Sequence, residues 1–243
     1  MNFYALIIGT EILNNRRVDK HFDFLKNELA KYGHTLFASF IIKDDVELIK
    51  NCFKLIKADK NSVLFSFGGI GSTPDDLTRS LSSEVFRNQP PVRHKQFEQD
   101  IINKFASKAY PHRIHMADIP PNSDLIHNPI NNMSGFSLDK RFFFVPGFPI
   151  MAHPMVTDII EKHFSVKKEI FRKTLLAQTS ENTLIDLMKK VPPHVELSSL
   201  PIFNQNKPSV EFSLSCEDEA ELNRYFKLFT DELKRIKTTY KLI

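Results

Sequence analysis

Residues 68 to 78 read Gly-Gly-Ile-Gly-Ser-Thr-Pro-Asp-Asp-Leu-Thr, so three of the chain's seven glycines lie next to a pair of adjacent carboxylates. Glycine permits a positive φ and lets a ligand approach the backbone closely. The apolar run over 63–67 just before it reads as a buried strand. Thr73, Pro74 and Asp76 fit the N-cap, the first helical residue and the capping-box acid of a following helix. Strand, glycine loop and helix N-terminus together make an anion site, in which Gly68, Gly69, Gly71, Ser72 and Thr73 would carry a phosphate. Asp75 and Asp76 would repel a bare phosphate, so the pattern calls for a divalent cation, Mg²⁺ or similar, between acids and ligand. The bland reading competes with this one. First-turn acids often only stabilise their helix, by about 0.3–1 kcal/mol each, and Gly-Gly-x-Gly alone is common.

The elements that would position these groups follow a β-α-β-α-β-α order. Strands are expected over 3–8, 35–42, 63–67 and 141–145. Helices are expected over 19–32, capped by Asp19 and ended by Gly33, then over 46–57, 75–86, 92–107 and 149–164. Residues 110–135, rich in Pro, Asn and His, read as mostly loop. This order implies a mostly parallel sheet with helices on both faces. Loops at the carboxyl ends of such strands converge on one crevice. That edge would gather Thr10, Glu11, Asp44, Asp45, Asp75, Asp76 and Thr78, hard oxygen donors suited to Mg²⁺. Asp76 and Glu11 are the candidate catalytic carboxylates. Asp76, Asp75 and Asp45 are the candidate metal ligands, although Asp45 fits equally well as the cap of the helix from 46. Thr10, Pro146 and Gly147 are further candidate ligand contacts. After residue 165 the pattern changes to strand 170–177, helix 181–190, strands 196–200 and 209–215, and helix 217–236. The domains expected are therefore 1–165 and 166–243.

Composition narrows the class. The chain has 243 residues, a net charge of +4, 42% hydrophobic and 26% charged residues, as in soluble globular proteins. No apolar run is long enough for a bilayer, and the first residues read as a strand rather than a signal peptide. Cys52 and Cys216 match no zinc spacing, so reduced thiols and a cytoplasmic location are expected. The scattered histidines lack metal-ligand spacing, and Ser72 has no triad partners by spacing.

Gly9-Thr10-Glu11-Ile12-Leu13, Asp19, Asp44-Asp45, the 68–78 stretch, Ala117, Ile119-Pro120, Asn128-Pro129, Gly135-Phe136 and Val145-Pro146-Gly147-Phe148-Pro149 occur in this order. They resemble the molybdopterin-binding-type domain of the competence/damage-inducible protein A (CinA) family. The tail, with Leu200-Pro201 and the strand around Val210, is similar to the small KH-like α+β domain of that family; the amidohydrolase domain of longer members has no room here. The resemblance implies a three-layer α/β/α domain with a nucleotide or pterin ligand. It implies divalent-metal-dependent hydrolysis of a nucleotide pyrophosphate of ADP-ribose or FAD type. The alternatives are molybdopterin or nucleotide binding in molybdenum cofactor biosynthesis, or a binding protein that has lost catalysis. It also places His21 and Asn128 at the pocket. Asn15, His21, Ser72, Met133-Ser134 and Ile150-Met151-Ala152 depart from the family pattern, pointing to a changed substrate or a lost activity. The tail lacks a Gly-x-x-Gly clamp and the net charge is low, which argues against nucleic acid. No membrane partner is expected, and a homo-oligomer stays open.

Overall fold

Six strands build the sheet that carries the site: β1 (Asn2–Ile8), β2 (Leu36–Ile42), β3 (Ser62–Phe67), β6 (Asp124–Ile126), β7 (Gly135–Leu138) and β8 (Phe142–Val145), in the order β2-β1-β3-β8-β7-β6. The structure, a computed structural model, describes residues 1–167, 169–204 and 207–243. It divides into two units, Met1–Lys167 and Lys168–Ile243. In the first, β2, β1, β3 and β8 are parallel, while β7 pairs antiparallel with β8 on one side and β6 on the other. The register aligns Ile7 with Phe67 and Phe67 with Val145. The loops after β1, β3 and β8 therefore emerge side by side.

Both sheet faces are covered, which is why the central strands are almost wholly apolar. Ala5, Ile7, Phe65, Phe67 and Val145 pack with Leu25 and Leu29 of α2 (His21–Ala30) and with Ala152, Met155 and Ile159 of α6 (Pro149–His163). Leu6, Ile8, Leu64 and Phe144 face the other way, toward Ile49, Phe53 and Ile56 of α3 (Val46–Ala58). Each Val, Leu, Ile, Phe or Met among them contributes about 1.5–3 kcal/mol by leaving water. Asp19 starts α2 by accepting from the N–H groups of His21 and Phe22. Gly33, at φ 73°, ends it, with its N–H on Ala30 O and that of His34 on Leu29 O, a paired cap that only a left-handed residue completes.

Three expectations are corrected. The helix expected over 75–86 starts at Thr78: α4 (Thr78–Ser82) is a single turn, followed by a π-helical turn Ser83–Arg87 that ends at Asn88 with φ 53°. Asp76 is committed to the preceding loop and caps nothing. The helix expected over 92–107 is α5 (Lys95–Phe105), preceded by β4 (Val92–Arg93), which pairs with β5 (Asp118–Ile119). The expected loop over 110–135 holds β5, β6 and the start of β7, strands too short for alternation to be visible.

The second unit is an α+β layer. Its strands are β9 (Phe171–Ala177), β10 (Glu196–Asn204), β11 (Lys207–Cys216) and β12 (Tyr240–Leu242), antiparallel in the order β10-β11-β9-β12. The long helix α8 (Glu219–Arg235) lays Leu222, Phe226, Phe229 and Leu233 on Leu175, Phe212 and Leu214. The helix expected over 181–190 shrinks to a short turn and α7 (Ile185–Met188), and β12 was not foreseen. Among the described residues no helix is long and apolar enough to cross a membrane.

Candidate ligand-binding site

The loop after β3 follows a path open only to glycine. Gly68 has φ 97°, and a Cβ there would lie 2.4 Å from Ile8 O; Gly69 has φ 67°, with Thr78 Oγ1 2.3 Å from its would-be Cβ. Thr78 ties the loop down. Its N–H donates to Gly69 O at 3.0 Å and its buried hydroxyl to Gly68 O at 2.9 Å. Asp76 staples the far end: Oδ1 accepts from Gly71 N–H at 2.7 Å, and Oδ2 from the N–H and hydroxyl of Thr73 at 2.8 and 2.6 Å. So Thr73 is not a helix N-cap and Asp76 is not a capping-box acid. The N–H groups of Gly69, Ile70 and Ser72 meet no acceptor among the described residues. Unpaired donors along a concave turn form an anion cradle. The loop offers this cradle rather than the dipole of a one-turn helix.

The loop forms one wall of a cavity of about 550 Å³ at the carboxyl edge of the sheet. Pro146, Gly147 and Phe148 form a second wall. Glu11, Arg17 and Asp44 lie toward β1, and Phe97, Phe105, Met116, Met133 and Met151 give an apolar side. Gly68, Gly69, Gly71, Ser72, Thr73, Asp75 and Asp76 all line it, as does Asn128. Asn128 is fully buried and holds its own turn, donating to Met133 O and accepting from Ile130 N–H, both at 3.1 Å.

Other expected site residues have different work. Thr10 turns away, its N–H and hydroxyl both donating to Asp44 Oδ2 at 2.9 and 2.8 Å; Asp44, not Thr10, reaches the cavity. Asp45 caps α3 through Leu48 N–H at 2.9 Å, is exposed, and is absent from the lining. His21 is not in the pocket either: it is buried behind the second wall, with Nε2 3.1 Å from Gly147 O. Asp75 stands exposed on the rim, its carboxyl held below the usual carboxylate range by the Thr73 hydroxyl and its own N–H. The Glu11 carboxylate lines the cavity with no hydrogen-bond partner among the described residues.

These donors do not build a resident metal site. Among the described residues no three His, Cys, Asp or Glu side chains come together to hold an ion, and the carboxylates of Asp76 and Asp44 are already bonded to the backbone. The proposed metal set Asp76, Asp75 and Asp45 is thus not assembled. Arg17 and Arg113 also line the cavity and lie over Phe148 and Phe105, at 5.3 and 4.9 Å. Sequence reasoning missed Arg79, which is 8% exposed, with Nη1 unpaired. Burial pushes its guanidinium down against the opposing charges of Asp76 and Asp118. One arginine on a short helix gives no sequence signal for that burial. Asn15 takes a left-handed turn at φ 60°, which asparagine tolerates.

Residues 4–165 match the family model described as "Probable molybdopterin binding domain". A CinA-like protein of Acaryochloris marina is 31% identical over 158 residues, covering 62% of this chain and 37% of the relative. One from Nostoc punctiforme is 29% identical over 162 residues, covering 64% and 38%. The chain thus spans less than half the length of these curated relatives. The crystal structure of the protein CinA, of unknown function, from Thermoplasma acidophilum superposes with a TM-score of 0.60 at 27% identity, covering 67% of this chain and 98% of that one. With two thirds of its length inside the family model, the chain belongs to the molybdopterin-binding-domain family, and its first unit is a domain of the CinA-like type.

Proposed function

We propose that the crevice binds a small phosphorylated ligand of nucleotide or pterin type. Its phosphate rests on the N–H groups of Gly69, Ile70 and Ser72, and its flat ring lies against Phe97, Phe105 and the three methionines. The unpaired loop amides carry this reading. Hydrogen bonds from such donors to a charged oxygen are worth about 1.5–3 kcal/mol each. Thioethers adapt to a planar ring and leave its edges free for a few polar contacts. The family description supports a pterin. Glu11 and Asp75 oppose a bare phosphate, so a divalent cation enters with the ligand instead of residing in the protein. Mg²⁺ commonly needs only one or two carboxylates beside the phosphate oxygens, and Glu11 is the lining acid free to serve.

A second reading, hydrolysis of a nucleotide pyrophosphate, is favoured by the same unpaired Glu11, which is free to accept a proton from water as a general base. Titration calorimetry with ADP-ribose, with and without Mg²⁺, followed by chromatography for AMP, separates the two. Saturable binding without AMP supports the binding reading. AMP release that Glu11→Gln abolishes supports hydrolysis. Absence of binding by ADP-ribose, FAD and a pterin phosphate alike would overturn both.

A further inference from the structure

Two imidazoles lie behind the second wall of the crevice and take no part in the binding just described. His21 is 3% exposed, and its ring stacks on Phe67 with centroids 4.3 Å apart. Its Nε2 is 3.1 Å from Gly147 O. A carbonyl only accepts, so Nε2 carries the proton and Nδ1 is left with a lone pair. That Nδ1 is buried and unpartnered. His153, on α6, meets His21 edge-on at 5.3 Å and lies flat on Phe24 at 3.7 Å. Its Nε2 is also buried and unpartnered.

We propose that His21 is the positioning residue of the 146–148 wall, and that a proton on the His21–His153 pair, buried with no acceptor for it, drives the charged ring toward water and off the Gly147 carbonyl, so that protonation of the pair lowers ligand affinity. This rests on the binding reading for its consequence, but not for the prop itself. The groups facing the pair show why a proton is unwelcome. Phe67 comes from β3 and Phe24 from α2, and the wall offers a carbonyl already in use. Asp19, ahead of α2, is spent on the N–H groups of His21 and Phe22; Glu28 of α2 is paired with Lys31 at 2.6 Å; Lys20 offers its backbone to His153. The charges of Asp19 and Glu28 favour an imidazolium but do not outweigh its burial. Burial accordingly pushes both imidazoles below their ordinary 6.5, and for His153 the neighbouring His21 adds to the effect. A value depressed in the folded state means that the prop is fully in place above pH 6.5 and is lost as pH falls through the lower folded value.

The test uses the full chain and ADP-ribose, whose pyrophosphate diester gains no proton between pH 7.5 and 5.5. Wild-type affinity is expected to fall over this range, by less than the roughly tenfold that an imidazole titrating at its ordinary value would give. In His21→Gln and His21→Asn, which keep an amide donor and remove the titration, the fall should shrink to a small fraction of the wild type's. In parallel, the amide resonances of Gly147 and Phe148 are followed by NMR without ligand. They should move with the imidazole titration in the wild type and stay still in His21→Gln. Stationary wild-type resonances, or variants whose affinity falls as steeply as the wild type's, would overturn the proposal. If ADP-ribose binds at no pH, the binding reading fails, and the ligand-free resonances still decide the prop.

Discussion

The 68–73 wall is held by its near neighbours, Asp76 and Thr78, through bonds to residues at most ten positions away. The 146–148 wall is held at Phe148 O by the N–H groups of Met151 and Ala152 that open α6, and at Gly147 O by His21, 126 positions away. A wall stapled by short-range bonds to a carboxylate and a hydroxyl is fixed within its own loop. A wall propped by a buried imidazole inherits that group's protonation. The comparison teaches that one crevice combines a fixed half, which suits phosphate recognition, with a half whose position depends on its surroundings.

The largest difference should come from the glycines. Gly68→Ala forces a Cβ against Ile8 O at positive φ and should destabilise the first unit by about 2–5 kcal/mol. Gly147→Ala meets Gly68 Cα at 3.3 Å and Gly68 N at 3.8 Å, with no positive φ, and should cost under about 1 kcal/mol. Urea unfolding of the two variants measures both; equal losses would break the contrast. Next comes Asp76→Asn. The carboxylate accepts three hydrogen bonds, and an amide can replace only one oxygen. Stability should drop by about 1–3 kcal/mol, with faster hydrogen exchange at Gly71 and Thr73 and none at Gly147.

A smaller effect separates the walls by pH. Thermal melts should show stability declining as pH falls below 6.5, from the depressed values of His21 and His153, and the decline should flatten in His153→Phe. An unchanged decline would assign the effect to other groups. The smallest effect is expected outside both walls. Asp45→Ala removes the cap on Leu48 N–H and should cost about 1 kcal/mol of stability while leaving ADP-ribose affinity as it was. A large loss of affinity would restore Asp45 to the site.

The same distinction governs what could be read from the sequence. The strands over 3–8 and 63–67, the left-handed Gly33 and the glycine loop were legible because their signals lie within a few residues of one another. Asp76 was found with its partner Thr73, whose N–H it accepts, but no helix starts there. The spacing Thr73–Asp76 fits a capping box and a loop staple alike, and only the chain path after Gly69 selects the staple. Thr10 and Asp44 were both named without their mutual bond, which joins two loops. His153 and Arg79 were invisible as functional candidates, since burial of a lone polar residue depends on elements distant in sequence. β5 to β7 were missed because strands of two to four residues leave no periodicity.

The central claim concerns three backbone amides, and NMR reads them directly. Adding ADP-ribose with Mg²⁺ to labelled protein should move the N–H resonances of Gly69, Ile70 and Ser72 downfield, ahead of Gly71 and Thr73, which are already bonded to Asp76. Saturable binding that leaves those three resonances in place while shifting others would contradict the phosphate cradle.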